Sequence, residues 1–297
     1  MHDFDYCILA LYLNMIKELF VNTIEKLSNS LNCNLVLKNY TQIFGGSVNT
    51  AFLINTNIGK FFLKFNINKV KNLFDKEVRG LKLISLTNTI KVPSVIYFDE
   101  EVLALEFIQS NELNKKFWSS FGYSLSELHY NTSESFGLDH NNFIGSLLQK
   151  NNFHTNWSDF FINQRLKPQL DIGNFSVKTQ KLFESLFLKL ENIFPVTKPS
   201  LIHGDLWSGN FISSKDQVFV IDPAVYYGNR EMDIAMSKLF GGFKKEFYDT
   251  YNYYYPLDKN WKIRLDICNL YPLLVHANLF GGNYYSQINS ILKSVIK

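Results

Sequence analysis

A chain of 297 residues, 46% hydrophobic and 16% aromatic, can build one large core or two smaller ones and is far from the composition of a disordered segment. A formal charge of +3 with no lysine- or arginine-rich run gives no electrostatic footprint for a nucleic-acid partner. Cys7, Cys33 and Cys268 lie far apart without zinc-site or disulfide-framework spacing, and no apolar run reaches the roughly 18 residues of a membrane span, so a cytoplasmic protein without a membrane partner is expected.

In chain order, the apolar run CILALYL is too short, and the preceding MHDFD too acidic, for a signal peptide. Residues 14–31 set Ile16, Leu19, Phe20, Ile24 and Leu27 at spacings of three and four, which predicts an amphipathic packing helix. Next come LVLKNYTQIFGG, SVNTAFLINT and KFFLKF, broken by Gly45-Gly46 and by Asn57-Ile58-Gly59; these runs predict three consecutive antiparallel strands. A second helix is expected over 69–86, with Phe74, Val78 and Leu81 on one side, and VPSVIYF and VLALEFI predict two further strands. Beyond LEFI the strand signal nearly vanishes: apart from VFVID, helical patterns alternate with Asn- and Pro-marked turns. The expected architecture is α+β. A small lobe of five antiparallel strands with one inserted helix occupies 1–108, and a larger, mostly helical lobe occupies 109–297.

The stretch HGDLWSGN at 203–210 carries the chemistry. Asp205 is followed by Asn210, and a second aspartate, Asp222, ends the VFVID run. Two carboxylates and a carboxamide in this order suit phosphoryl transfer from a nucleotide: one Asp accepts the proton of an attacking hydroxyl, while the Asn and the other Asp hold Mg2+ on the phosphates. Asp205 could instead cap a turn, Asn210 occupy one and Asp222 simply close a strand. Those readings account for each residue separately and leave the spacing unexplained.

The small lobe offers an independent check. On the KFFLKF strand Lys64 alternates with Phe61, Leu63 and Phe65, so it projects to the face opposite those three, where it could reach nucleotide phosphates. Glu77, on the helix that follows, is its expected ion-pair partner. Gly45, Gly46 and Ser47 in IFGGSVN would form a turn whose backbone N–H groups approach anionic oxygens, although the pattern is not GxGxxG. In LEFI, backbone groups of Glu106 and Ile108 would pair with the adenine edge.

Together, GGSVNTAF, FFLKF, LEFI, FGLDHNNFIGSLLQKNN, NWSDFFINQRLKPQL, HGDLWSGN, IDPAVYYGNREMDIAMSKLFGGF and LYPLLVHANLFGG resemble the fructosamine-3-kinase (ketosamine-3-kinase) family. That family is a branch of the two-lobed protein-kinase-like fold that also holds aminoglycoside and choline kinases. The resemblance implies ATP- and Mg2+-dependent phosphorylation of the C3 hydroxyl of a free or protein-bound ketosamine, leading to deglycation. It implies Asp205 as catalytic base and Asn210 and Asp222 as Mg2+ ligands. Lys64 and Glu77 become the phosphate-positioning pair, Gly45, Gly46 and Ser47 the turn over the phosphates, and Glu106, Phe107 and Ile108 the hinge. Trp207, as an aromatic wall, and Tyr226 are expected at the substrate, with a buried core tryptophan the alternative for Trp207. Some family members carry a cysteine in the Gly-rich turn; Ser47 stands here, which argues against redox control at that position. Residues 1–14 lie upstream of the usual start and read as an extension, and a monomer or weak homodimer is expected. The same HGDxxxxN pattern also serves small-molecule alcohol kinases of the aminoglycoside and choline type. A pseudokinase is disfavoured, because the polar set and Lys64 are all present.

Overall fold

The computed structural model describes residues 2–44 and 50–296, and their side chains from residue 16 onward. Helix α1 (His2–Leu31) carries the amphipathic repeat expected over 14–31 and starts earlier, its backbone already helical through residues 2–14. Ile16, Phe20, Thr23 and Leu27 are buried at spacings of three and four, the repeat of one helix face. That face covers one side of a sheet, where Phe20 meets Phe52 and Phe65 edge-on with ring centroids 5.1 and 5.8 Å apart. Lys26 fixes the helix further by reaching Asp99 at 2.7 Å and Glu101 at 2.9 Å.

The sheet is built from β1 (Leu37–Ile43), β2 (Thr50–Thr56) and β3 (Lys60–Phe65), then, after helix α2 (Leu73–Leu86), from β4 (Val95–Phe98) and β5 (Val102–Glu106). Its order is β1-β2-β3-β5-β4, antiparallel throughout. This is the five-stranded sheet with one inserted helix expected from the sequence. On β3 the alternation holds: Phe61, Leu63 and Phe65 enter the core under α1, while Lys64 faces the other side and is still only 5% exposed. The strand therefore buries the charge only because its register is set by three large apolar neighbours, each worth about 1.5–3 kcal/mol on burial.

The chain divides into two compact units, residues 1–75 with 93–108 and residues 76–92 with 109–297. Relative to a single cut at 108, the later part of α2 and the connection after it go with the larger unit. In chain order that unit contains α3 (Lys115–His129), a hairpin of β6 (Asn142–Ile144) and β7 (Leu147–Gln149), α4 (Trp157–Phe160), a π-helical turn (Phe161–Leu166) and α5 (Lys167–Ile172). It continues through α6 (Val177–Phe187), α7 (Leu190–Ile193), β8 (Ser200–Ile202), β9 (Phe211–Ser214), β10 (Gln217–Val220) and β11 (Tyr226–Gly228). Helices α8 (Glu231–Leu239), α9 (Lys245–Tyr254), α10 (Trp261–Phe280) and α11 (Tyr284–Ile296) complete it. Helix starts follow local chemistry: Asn114 accepts the Phe117 N–H at 2.8 Å and so caps α3.

Two-stranded pieces β6–β7, β9–β10 and β8–β11 are more strand than the sequence suggests for this half of the chain. Each is three or four residues long, too short for a period of two to stand out against its helical flanks. Tertiary pairing, not propensity, makes them strands. Among the described residues no helix is long and apolar enough to cross a membrane, and Cys33 and Cys268 are free thiols.

Candidate active site

β8 is fully buried and pairs with β11 through Ile202↔Tyr226, Leu201↔Tyr227 and Ser200↔Gly228, so the chain enters the HGD loop from a rigid platform. His203 is buried beside it. Its Nδ1 accepts the Asp205 N–H at 3.3 Å, which places the ring proton on Nε2, donated to the Ile221 carbonyl at 3.0 Å. Burial lowers its pKa and keeps this neutral form. His203 thus links the start of the loop to the residue before Asp222 and is a structural bracket.

Asp233, in the first turn of α8, holds the loop from beneath. It accepts the backbone N–H of His203 at 2.7 Å and that of Gly204 at 2.9 Å, and it meets His129 Nε2 at 3.2 Å. Burial lowers the His129 pKa, so a neutral ring donates from Nε2 and accepts the Tyr251 hydroxyl on Nδ1 at 2.8 Å. Arg230 in turn donates to that hydroxyl oxygen at 3.2 Å. Gly204 has φ +83°, and a Cβ there would stand 2.1 Å from the Ala224 carbonyl oxygen. Only glycine lets the Asp205 turn lie this close to the Asp222 turn.

Asn210 closes the loop by donating Nδ2 to the Asp205 carbonyl at 2.9 Å and to Asp205 Oδ2 at 3.0 Å, which directs its Oδ1 away from that carboxylate. The Ile221 N–H donates to the Asn210 carbonyl at 3.1 Å and ties the loop to the β10 exit. Asp222 lies two residues beyond β10, at φ +56°, a left-handed conformation that Asp tolerates better than most residues. Burial, and then the charge of Asp222, push the Asp205 carboxyl up to about 7, against the lowering effect of Asn210. The desolvated Asp205 carboxyl faces the charge of Asp222, which disfavours its ionised form. That is the electrostatic condition a cation and an acceptor hydroxyl would relieve.

The sequence model of the fructosamine kinase family matches residues 19–297. The chain belongs to that family. It is 39% identical to a probable ketoamine kinase of Enterococcus faecium, over 85% of this chain and 93% of that one. It is 33% identical to the chloroplastic protein-ribulosamine 3-kinase of Arabidopsis thaliana, over 85% of this chain and 81% of that one. The solved structure of a Haemophilus somnus protein named as a candidate fructosamine-3-kinase superposes with TM-score 0.83 at 28% identity, covering 93% of this chain and 97% of that one. The gentamicin complex of an aminoglycoside phosphotransferase superposes at TM-score 0.60 with 16% identity, a likeness of fold alone. The fold is therefore the two-lobed protein-kinase-like one.

Within this family frame the structure brings Asp205, Asn210 and Asp222 together. Trp207 is partly buried, with its ring edge-on to Phe240 at 6.1 Å; Phe240 meets His276 at 4.9 Å, and His276 meets Tyr284 at 5.1 Å. Phe240, 40% exposed, packs against the HGD loop and His276 against Phe240; spacing did not single out either residue. They come from segments noticed only for their resemblance.

Tyr226 requires a correction. It is 0% exposed, its ring packed against both Phe160 at 5.5 Å and the Arg165 guanidinium at 3.8 Å, and burial pushes its hydroxyl up to about 12. β11 alternation turns Tyr226 inward and leaves Tyr227 half-buried on the other face. Tyr226 is thus a core residue and no wall for substrate.

In the smaller unit Glu106 ends β5; its side chain accepts from Ser94 N at 3.1 Å and Ser94 Oγ at 2.9 Å, and its backbone N–H donates to the Ser94 carbonyl at 2.9 Å. The Lys60 ammonium stands over the Phe107 ring at 5.5 Å, and Ile108 is buried. Glu77 lies half-buried on α2. Gly45, Gly46 and Ser47 lie outside the described residues.

Proposed function

We propose that the chain transfers the γ-phosphoryl group of ATP to the C3 hydroxyl of a ketosamine, on a free or protein-bound amine. The observation that carries this reading is the Asp205 carboxylate, raised to about 7 beside Asn210 and Asp222, in a chain that belongs to the fructosamine kinase family. The naming of relatives as ketoamine kinase and protein-ribulosamine 3-kinase supports the acceptor class.

The donor set fits a hard divalent cation. Asp222 and the free side of Asn210 offer carboxylate and amide oxygens, the ligands Mg2+ takes while keeping waters and phosphate oxygens for its remaining positions. When bound, Mg2+ would neutralise charge on the transferring phosphoryl group. Asp205 orients the C3 hydroxyl and takes its proton as the oxygen bonds to the γ-phosphorus and the bond from that phosphorus to the β-bridging oxygen breaks, releasing ADP. Lys64 and Glu77 are proposed to position the α- and β-phosphates, Gly45, Gly46 and Ser47 to cover them, and the Glu106–Ile108 backbone to receive adenine. Trp207, with Phe240 beside it, offers the aromatic wall for the sugar.

Turnover of Mg-ATP with ribuloselysine, erythruloselysine, fructoselysine, an aminoglycoside and choline, followed by ADP release and by 31P NMR of the product, tests the reading. Phosphorylation at C3 of a ketosamine is expected. Turnover confined to the aminoglycoside or choline would replace it.

A further inference from the structure

The β6–β7 hairpin and the residue two beyond it carry three buried carboxamides whose hydrogen bonds lead to the loops of the candidate site. Asn142, Gln149 and Asn151 are 4, 1 and 1% exposed. Asn142 Nδ2 donates to the Val225 carbonyl at 2.8 Å. Gln149 Nε2 donates to the Ala224 carbonyl at 3.0 Å and to Asn142 Oδ1 at 2.8 Å, while Gln149 Oε1 accepts the Tyr271 hydroxyl at 2.9 Å. Asn151 Nδ2 donates to Asn142 Oδ1 at 2.8 Å, and Asn151 Oδ1 accepts from Arg165 Nη2 at 2.8 Å. Arg165, on the π-helical turn, is itself 0% exposed.

Such a network is poorly explained by stability, since well-packed apolar side chains of the same volume would hold a hairpin on a core equally well. A hydrogen-bonded polar network does something apolar packing does less well: it selects one geometry. Here two carboxamides grip consecutive carbonyls, Ala224 and Val225, directly after Asp222-Pro223. Ala224 is the residue that meets the other loop. Its N–H donates to the His203 carbonyl at 2.9 Å, and its own carbonyl oxygen occupies the position that excludes a side chain at Gly204.

We propose that Gln149 is a positioning residue of the phosphoryl-transfer site: its carboxamide, itself held by Tyr271 and Asn142, grips the Ala224 carbonyl and sets the spacing of the Asp222 turn from the Asp205 turn. The spacing of these turns is the spacing of the metal-binding oxygens of Asp222 and Asn210, so the proposal rests on the function proposed above. Residues that orient metal ligands typically cost about 10–100-fold in metal affinity or activity when replaced.

The test is Mn2+ affinity in the presence of saturating ADP, read by electron paramagnetic resonance, alongside steady-state kinetics. In Gln149→Met the Mn2+ affinity is expected to fall about tenfold or more, and kcat to fall by a similar factor, with KM for ATP and ketosamine within about twofold of wild type. Leu292→Ala, in a fully buried position of α11, which packs on α6 and α10, is the stability control and should lower Tm without altering Mn2+ affinity. Wild-type Mn2+ affinity in folded Gln149→Met overturns the proposal, and so does a loss matched by Leu292→Ala. Should Gln149→Met fail to fold, Tyr271→Phe releases Gln149 from one anchor; a loss of about threefold is expected and an unchanged affinity overturns the proposal. Wild type that binds Mn2+ with ADP but phosphorylates no ketosamine refutes the proposed acceptor and leaves the Gln149 comparison intact. Wild type that binds no Mn2+ with ADP overturns both.

Discussion

Substituting Asp205 by asparagine removes a carboxylate that the fold holds at a cost, so the variant should lose catalysis and gain stability. Burial and the neighbouring Asp222 raise this carboxyl from 3.8 to about 7. At about 1.36 kcal/mol for each tenfold step, about 3.2 steps correspond to at most about 4 kcal/mol. Asp205 keeps partial exposure, and solvent screening reduces the expected gain to about 1–3 kcal/mol. The sign follows from proton binding. Between pH 3.8 and about 7 the folded state holds more protons on Asp205 than the unfolded state, so wild type loses stability as pH rises through that window, and the asparagine variant does not. The carboxamide introduced in Asp205→Asn would retain an oxygen to accept from Asn210 Nδ2, so the local hydrogen bond survives.

The assay is guanidinium unfolding in EDTA, followed by tryptophan fluorescence. Trp118, Trp157, Trp207 and Trp261 all lie in the larger unit, so the signal reports on the unit that contains the site. The variant should exceed wild type by about 1–3 kcal/mol at pH 8, and by about a quarter of that at pH 4.5. A gap that is constant with pH, or a variant less stable than wild type at pH 8, would refute the electrostatic reasoning. The same variant should lower kcat by roughly a thousandfold while ATP binding changes little, because the carboxylate is proposed to act on the acceptor.

Three further outcomes are expected. Lys64→Met and Glu77→Gln should each lower kcat/KM for ATP, and their effects should be non-additive in a double-mutant cycle; simple additivity would reject the pair. Gly204→Ala should destabilise by about 2 kcal/mol or more, because it combines φ +83° with a Cβ 2.1 Å from the Ala224 carbonyl oxygen; denaturation within about 0.5 kcal/mol of wild type would contradict that. Ribuloselysine or erythruloselysine should exceed fructoselysine in kcat/KM by about tenfold, since an extra buried hydroxymethyl without partners loses about 1–3 kcal/mol, and equal turnover would overturn the ranking.

What was legible in the sequence was what travels in short, patterned segments. Lys64 could be placed because strand alternation with three apolar neighbours fixes its face. Asp205, Asn210 and Asp222 could be grouped because a loop and a short hairpin bring them together within one stretch of chain. The supports of that loop were not legible. Asp233 and His129 are joined across 104 positions, and Gln149 and Tyr271 across 122, separations that no local period encodes. Tyr226 went astray for another reason: in a three-residue strand nothing in the sequence says which residue of the YY pair turns inward. The answer comes from Phe160 and Arg165, against which the inward ring packs.

The two aspartates around the HGD loop show how the fold divides labour between identical side chains. Asp233 is surrounded by donors, two backbone N–H groups and a histidine N–H, so its charge is matched within the fold. Asp205 receives a carboxamide N–H and faces the charge of Asp222, so its charge is left under-compensated. One carboxylate is committed to structure and the other is held ready for what arrives. An under-compensated carboxylate keeps its position only where the backbone beneath it cannot relax, and Asp233, Gly204 and Ala224 supply that rigidity. Stabilising the loop by removing the repulsion and preserving its reactivity are therefore opposed aims, which is why gain of stability and loss of turnover should appear together in Asp205→Asn.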